Sequence, residues 1–202
     1  RRQRQMCIRD RDMSVNPVFC AASILTNTAT AWVNQITAGR TVTLGVTSIQ
    51  GGEAPNVIPD TADILGSLRF FNDEEGEKAV RIFKNVAEHT AAMNNCQVQF
   101  DDRFCVLCAP VINDEYYSNL ISAALPEVLL ENVTVSSCEP WYASESFSCY
   151  RRICPSVLAH LGINNPSYGS GAAHHNGFFD VDEGVLSTGV IATLKFVAML
   201  QK

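Results

Sequence analysis

Two adjacent imidazoles stand in Ala173-His174-His175-Asn176-Gly177-Phe178-Phe179-Asp180-Val181-Asp182-Glu183, near the end of this 202-residue chain. They follow a run of small residues, Gly169-Ser170-Gly171-Ala172-Ala173, past which a metal ion could approach without steric obstruction. Imidazole is a common metal donor, and Asp180, Asp182 or Glu183 could orient the imidazoles or cap the apolar helix that follows. A divalent ion needs about four protein or water ligands, and no other part of the sequence offers a second His/Asp/Glu cluster with ligand spacing. The stretch reads as one wall of a metal site, with His175 the candidate ligand. The competing reading is a surface or packing histidine.

Other side chains carry weaker signals. Glu145, in Ala143-Ser144-Glu145-Ser146-Phe147, reads either as a buried acid or base or as a loop carboxylate accepting backbone N–H bonds. Arg69 ends an apolar strand and could fork a substrate carboxylate or pair with an acidic neighbour. Asn56, in a proline-flanked turn, is by default an Asx-turn residue. Glu74-Glu75-Gly76 resembles a paired-carboxylate motif, but it opens a surface helix, where carboxylates favour the helix dipole. Cys105-Val106-Leu107-Cys108 has no second pair to complete a zinc site and reads as ordinary buried cysteines.

The elements that must position these residues follow from periodicity. Asn16-Pro17 opens a helix, with Val18, Ala21, Ala22, Leu25, Ala29, Trp32, Val33 and Ile36 at helical spacing up to Gly39. Residues 41–49 alternate as a half-buried strand, with Val42, Leu44 and Val46 on one face. A turn-rich stretch leads to a second strand over about 60–71, carrying Ala62, Ile64, Leu68 and Phe70. Asn72-Asp73-Glu74-Glu75 then opens a helix to about Met93, and a last strand is expected through Val98 and Phe100. Helix, strand, strand, helix, strand is a ferredoxin-like open-faced sandwich lacking its first strand. Beyond Pro110 the pattern predicts a helix at 114–124, strands near 133–137 and 157–163, and a helix from about Asp182 to Leu200. The fold class is α/β with an α+β lid: residues 14–109 form the sandwich, and 110–202 the closing portion of a larger α/β domain.

Charge and cysteine content restrict the function classes. The net charge is −6, and five of the fifteen basic residues fall at Arg1, Arg2, Arg4, Arg9 and Arg11; the rest of the chain carries ten basic against nineteen acidic residues. Such an acidic body disfavours a nucleic-acid surface. Residues 1–13 read as a non-native tail to be excluded from fold reasoning. No apolar run is expected to reach the roughly 18–20 residues that span a bilayer. Eight irregularly spaced cysteines suit reduced thiols in a cytoplasm.

Three of these stretches occur together, and in order, in a known family. Gly51-Gly52-Glu53-Ala54-Pro55-Asn56-Val57-Ile58-Pro59-Asp60 with Gly66-Ser67-Leu68-Arg69, then Ala143–Tyr150 followed by Cys154-Pro155 and Leu161-Gly162-Ile163, then His175–Glu183, resemble the dimetal (zinc/manganese-type) peptidase and amidohydrolase family. That family includes aminoacylases, hippurate hydrolases and indole-acetyl-amino-acid hydrolases. The resemblance covers about residues 14–202 and implies a fragment comprising a dimerisation lid and the closing part of a catalytic domain. It selects His175 rather than His174 as metal ligand, and implies substrate contacts for Asn56, Arg69 and Glu145. Ser146 replaces an aspartate of the family pattern, and Gly177 a frequent proline. The implied reaction is hydrolysis of the amide of an N-acyl amino acid, with two divalent ions (Zn, Mn, Co or Ni) and a glutamate general base. The general base and the other ligands are not matched here: no His-x-Asp occurs in the chain. The chain alone is therefore expected to be inactive, to pair as a homodimer through the lid, and to engage neither nucleic acid nor membrane. The alternative is a non-catalytic ferredoxin-like module whose edge strand pairs with a copy of itself.

Overall fold

A computed structural model describes residues 15–101, 109–129 and 133–201. The chain divides into two compact units, one running to Pro110 with Ser144–Ser146, the other comprising Val111–Ala143 and Phe147–Lys202. The segment 1–13 and the pair Cys105/Cys108 lie outside the described residues.

In the first unit, helix α1 (Pro17–Gln35) starts where Asn16-Pro17 requires: the Asn16 side chain accepts from the Val18 and Phe19 amides, and Pro17 occupies a position that needs no N–H. The stripe that α1 buries is rotated from the expected one. Cys20, Ala21, Ile24 and Thr28 face inward, whereas Ala22 and Ala29 are exposed and Val33 is 84% exposed. Thr28 can take a core position because its hydroxyl donates to the Ile24 carbonyl at 2.7 Å. Leaving that hydroxyl unpaired would cost about 1–3 kcal/mol.

Strands β1 (Val42–Gln50) and β2 (Asp63–Phe70) form an antiparallel pair with Val42 opposite Phe70 and Leu44 opposite Leu68. An irregularity between Val46 and Ser48 leaves Thr47 as the extra residue of a bulge. Val42, Leu44 and Val46 are half-buried with exposed residues between them, as the alternation predicts. Helix α2 (Asp73–Met93) opens under Asn72, whose side chain accepts from the Glu75 amide at 3.0 Å. Glu75 does not close a reciprocal capping box. Its carboxylate accepts from the Thr37 hydroxyl at 2.5 Å and the Thr37 amide at 3.1 Å, with Lys78 at 3.7 Å. These interactions, the Thr37 hydroxyl foremost, hold its carboxyl below the ordinary glutamate value. The paired glutamates thus serve the helix opening.

Cys20, Ile24, Ala87 and Ala91 form the core between α1 and α2, with Ile64, Phe83, Cys96, Val98 and Phe100 packed on it. The strand expected through Val98 and Phe100 is not formed. The residues do alternate, Val98 and Phe100 half-buried and Gln97 and Gln99 exposed, but no ladder partner reaches them among the described residues. An apolar alternation supplies a face; only a neighbouring backbone makes it a strand.

In the second unit, α3 (Glu115–Ala124) begins at Asp114, which caps the Tyr117 amide at 3.0 Å. The strand expected near 157–163 is not formed, and the Asn113 side chain takes both backbone polar groups of Leu158. The Asn113 amide donates to the Leu158 carbonyl at 2.9 Å and accepts from the Leu158 N–H at 2.8 Å. Residues 133–137 are likewise not a strand. A 3₁₀ turn, Glu183–Val185, runs into α4 (Leu186–Leu200), which meets α3 through an edge-on Tyr117–Phe196 contact and carries a Lys195–Glu127 ion pair at 2.7 Å. Together Glu183–Leu200 form 18 helical residues apolar enough to cross a membrane by length and composition alone. This corrects the expectation that no such run exists, because helical continuity bridges Glu183 and Lys195. A helix that packs inside a soluble domain passes the same test.

Two outcomes follow from these contacts. A Cβ on Gly76 would stand 2.5 Å from the Phe70 ring. Gly76→Ala should therefore lower stability by about 1–3 kcal/mol in urea unfolding, although alanine ordinarily improves a helix by up to about 1 kcal/mol. Because the folded Glu75 pKa is lowered, its stabilising contribution exists above the unfolded value and is lost as pH falls through the folded one. The Thr37 amide resonance should titrate with a midpoint below 4.5, and Glu75→Gln should abolish that titration.

Candidate functional site

The loop bearing the two histidines is held by Asn165 and Ser170, for which the sequence reading carries no expectation, together with Asp182, a capping candidate. Asn165 caps the 3₁₀ turn Pro166–Tyr168, accepting from the Ser167 amide, and its amide donates to Asp182 Oδ2 at 2.6 Å. Asp182 Oδ1 accepts from the Gly184 amide at 2.9 Å, and the Asp182 N–H donates to the Ile163 carbonyl. Buried Ser170 accepts from the Asn165 amide at 2.6 Å and donates to the Ile163 carbonyl at 3.0 Å. Asp182 is therefore the helix-capping carboxylate of the three candidates. Asn165-Pro166 repeats the Asn-Pro signal of Asn16-Pro17, so this cap was readable in principle.

On that base the two imidazoles separate. His174 stacks on Phe179 with ring centroids 5.3 Å apart and lies 5.4 Å from Trp141, which in turn meets His160 edge-on at 5.2 Å. His174 is thus a packing histidine within a ladder of rings. Both histidines are exposed, and His175 takes a left-handed backbone, φ 61°. For a residue with a Cβ that conformation costs about 1 kcal/mol or more. The surrounding turn supports it, with Asn176 accepting from the Phe178 amide at 2.9 Å and its carbonyl from the Phe179 amide at 3.0 Å. Among the described residues no three His, Cys, Asp or Glu side chains converge as metal donors. These residues therefore supply a single candidate ligand and do not by themselves build a metal centre.

The remaining candidates lie in the first unit. Asn56 is exposed in the connection between β1 and β2. Arg69 is half-buried on β2 opposite Thr43. It lies three residues after Gly66, where a Cβ would approach the Gly45 carbonyl oxygen to 2.8 Å. Glycine there lets the two strands stay paired up to Arg69. Glu145 is half-buried and accepts from the Ser146 hydroxyl at 3.4 Å.

Residues 10–94 match the family described as the peptidase dimerisation domain. The chain is 26% identical over 183 residues, 89% of its length, to thermostable carboxypeptidase 2 of Saccharolobus solfataricus. It is 24% identical over 179 residues, 87% of its length, to IAA-amino acid hydrolase ILR1-like 4 of Arabidopsis thaliana. It spans 44% and 40% of those two proteins, less than half of each. In structure it resembles the YXEP protein of Bacillus subtilis, described as a dinuclear metal binding peptidase from the M20 family. The TM-score is 0.72 at 22% identity, over 94% of this chain and 47% of that one, which shows a shared fold.

In sequence this chain is similar to a carboxypeptidase and an amino acid hydrolase, and in fold to a dinuclear metal binding peptidase. Its residues 10–94 are similar to the peptidase dimerisation domain.

The support under the histidine loop is directly measurable. Asp182→Ala should cost about 1–2 kcal/mol in unfolding experiments, the usual loss for a capping side chain, and should speed hydrogen exchange at the Gly184 amide. An unchanged exchange rate would show that the loop stands without this carboxylate.

Proposed function

We propose that the whole protein is a metal-dependent amidohydrolase that cleaves the amide of N-acyl amino acids or similar substrates. The observation that carries this reading is the difference between two exposed histidines: His174 meets the rings of Trp141 and Phe179, while His175 stands on a capped turn in a left-handed conformation. A carboxypeptidase and an amino acid hydrolase among the relatives support a substrate containing an amino acid.

In this reading His175 donates an imidazole nitrogen to one of two divalent ions (Zn, Mn, Co or Ni). Those ions supply acidification of a water toward neutral pH and stabilisation of negative charge on the scissile carbonyl. The other ligands and the glutamate general base come from outside the residues described. Arg69 binds a substrate carboxylate through its planar fork, Asn56 supplies amide donors and acceptors, and Glu145 lines the cleft. Residues 14–109 act as a lid through which two copies pair, and 110–202 close the catalytic domain. The free thiols of Cys20, Cys96, Cys138, Cys149 and Cys154 suit a reducing, cytoplasmic setting.

The match of residues 10–94 to a dimerisation domain also favours a second reading, a module that pairs with its copy and performs no chemistry. One experiment separates the two: recover the coding sequence upstream of Ser14, express the complete protein, and measure bound metal and acyl-amino-acid hydrolysis. The amidohydrolase reading expects about two metal ions per chain. His175→Ala should lower metal occupancy and reduce the rate by roughly 100-fold or more, beyond the 10–100-fold typical of a group that merely supports a ligand. The 202-residue chain alone should show no metal-dependent turnover. A complete protein that binds no metal would leave the pairing module as the account.

A further inference from the structure

Two thiols in the first unit take no part in the chemistry above. Cys20 lies in the buried stripe of α1, 4% exposed, within the core cluster against which Cys96 packs. Cys96 is brought there by the way α2 ends. After the C-cap Asn94, Asn95 adopts a left-handed conformation, φ 55°. Its N–H reaches the Ala92 carbonyl at 3.1 Å, and the Cys96 N–H returns to the Ala91 carbonyl at 2.8 Å. This pair of bonds is a Schellman motif, which folds the residue after the left-handed one back onto the last turn. Cys96 therefore packs on the cluster of Cys20, Ile24, Ala87 and Ala91 while staying half-exposed. Both thiols are free.

We propose that Cys20 and Cys96 form a modification site: a low-molecular-weight disulfide such as oxidised glutathione converts the pair to an intramolecular disulfide that staples α1 to the end of α2. The half-exposed Cys96 reacts first. Its thiolate attacks one sulfur of oxidised glutathione, the S–S bond breaks, and one glutathione leaves as thiolate and takes up a proton. Cys20 then gives up its proton and attacks the Cys96 sulfur of the mixed disulfide, expelling the second glutathione. Two protein thiols are oxidised and one glutathione disulfide is reduced to two thiols. Burial, with neighbouring Cys96 adding to it, pushes the Cys20 thiol up to about 11. Cys20 therefore stays protonated near neutral pH and waits for its neighbour to be activated. Exposed Cys138, Cys149 and Cys154 are the contrasting case: each should stop at a single glutathione adduct.

The test uses the full chain with Cys7, Cys105, Cys108, Cys138, Cys149 and Cys154 changed to Ser, incubated with oxidised glutathione and read by intact mass. The expected product has lost two hydrogens, carries no glutathione, and yields a Cys20–Cys96 cross-linked peptide. Its unfolding midpoint should rise by at least about 5 °C and return on treatment with dithiothreitol. Adding Cys20→Ser should leave one stable glutathione on Cys96, and adding Cys96→Ser should leave Cys20 unmodified. If the six-serine chain does not fold, the same peptide is sought in the oxidised, alkylated native chain. Recovery of Cys20 and Cys96 as separate alkylated or glutathionylated peptides overturns the proposal in either chain.

Discussion

The first unit depends on α1 and α2 meeting over small side chains. Cys20 and Ala21 on one helix and Ala87 and Ala91 on the other are nearly inaccessible, with Ile24 and Ile82 the larger apolar residues buried on these helices. Small residues let two helices pack ridge into groove at short range. That range allows Asn27 to donate across to Thr90 at 3.0 Å, so the interface carries a polar link as well as an apolar one. The rest is arranged around this seam. Phe70 of β2 lies on Gly76 of α2, Ile64 reaches the core from the sheet, and Val98 and Phe100 close over it without joining the ladder. Cys96 meets Cys20 for the same reason, because the last turn of α2 folds its chain back onto the first turns of α1.

In the second unit side-chain amides take over work that backbone ladders usually do. Asn113 satisfies both polar groups of Leu158, and Asn165 ties the turn before the histidines to the carboxylate that caps the following 3₁₀ turn. Each such bond adds only about 1 kcal/mol net. Several converge on the loop, however, and they fix its backbone while leaving the His175 ring exposed.

The local signals in the sequence were read well where they were local. Asn16-Pro17, Asn72 and Asp114 each cap the helix expected of them, and the alternation of Val42, Leu44 and Val46 gives the face of β1. Caps and pleats depend on residues within a few positions, which is why they survive any tertiary context. The signals misread were those whose meaning depends on a partner. Val98 and Phe100 alternate as strand residues do, and 157–163 is apolar as a buried strand is, but a strand exists only when another backbone supplies its hydrogen bonds. The α1 stripe is displaced for a related reason: helical spacing offers several adjacent faces, and the size of Cys20 and Thr28 suits a close helix contact better than their hydrophobicity indicates.

By itself the sequence determined the helix openings, the order helix, strand, strand, helix in the first unit, and the three motifs that resemble those of the dimetal hydrolases. Tertiary structure alone decided that His174 packs against Trp141 and Phe179, that Asp182 caps the turn into the closing helix, and that Cys96 packs on the cluster containing Cys20. Those outcomes rest on contacts between residues distant in the chain, such as Trp141 with His174 or Cys20 with Cys96. Spacing along the sequence records the distance between neighbours on one element; it carries no record of which elements the hydrophobic and hydrogen-bonding forces will bring together.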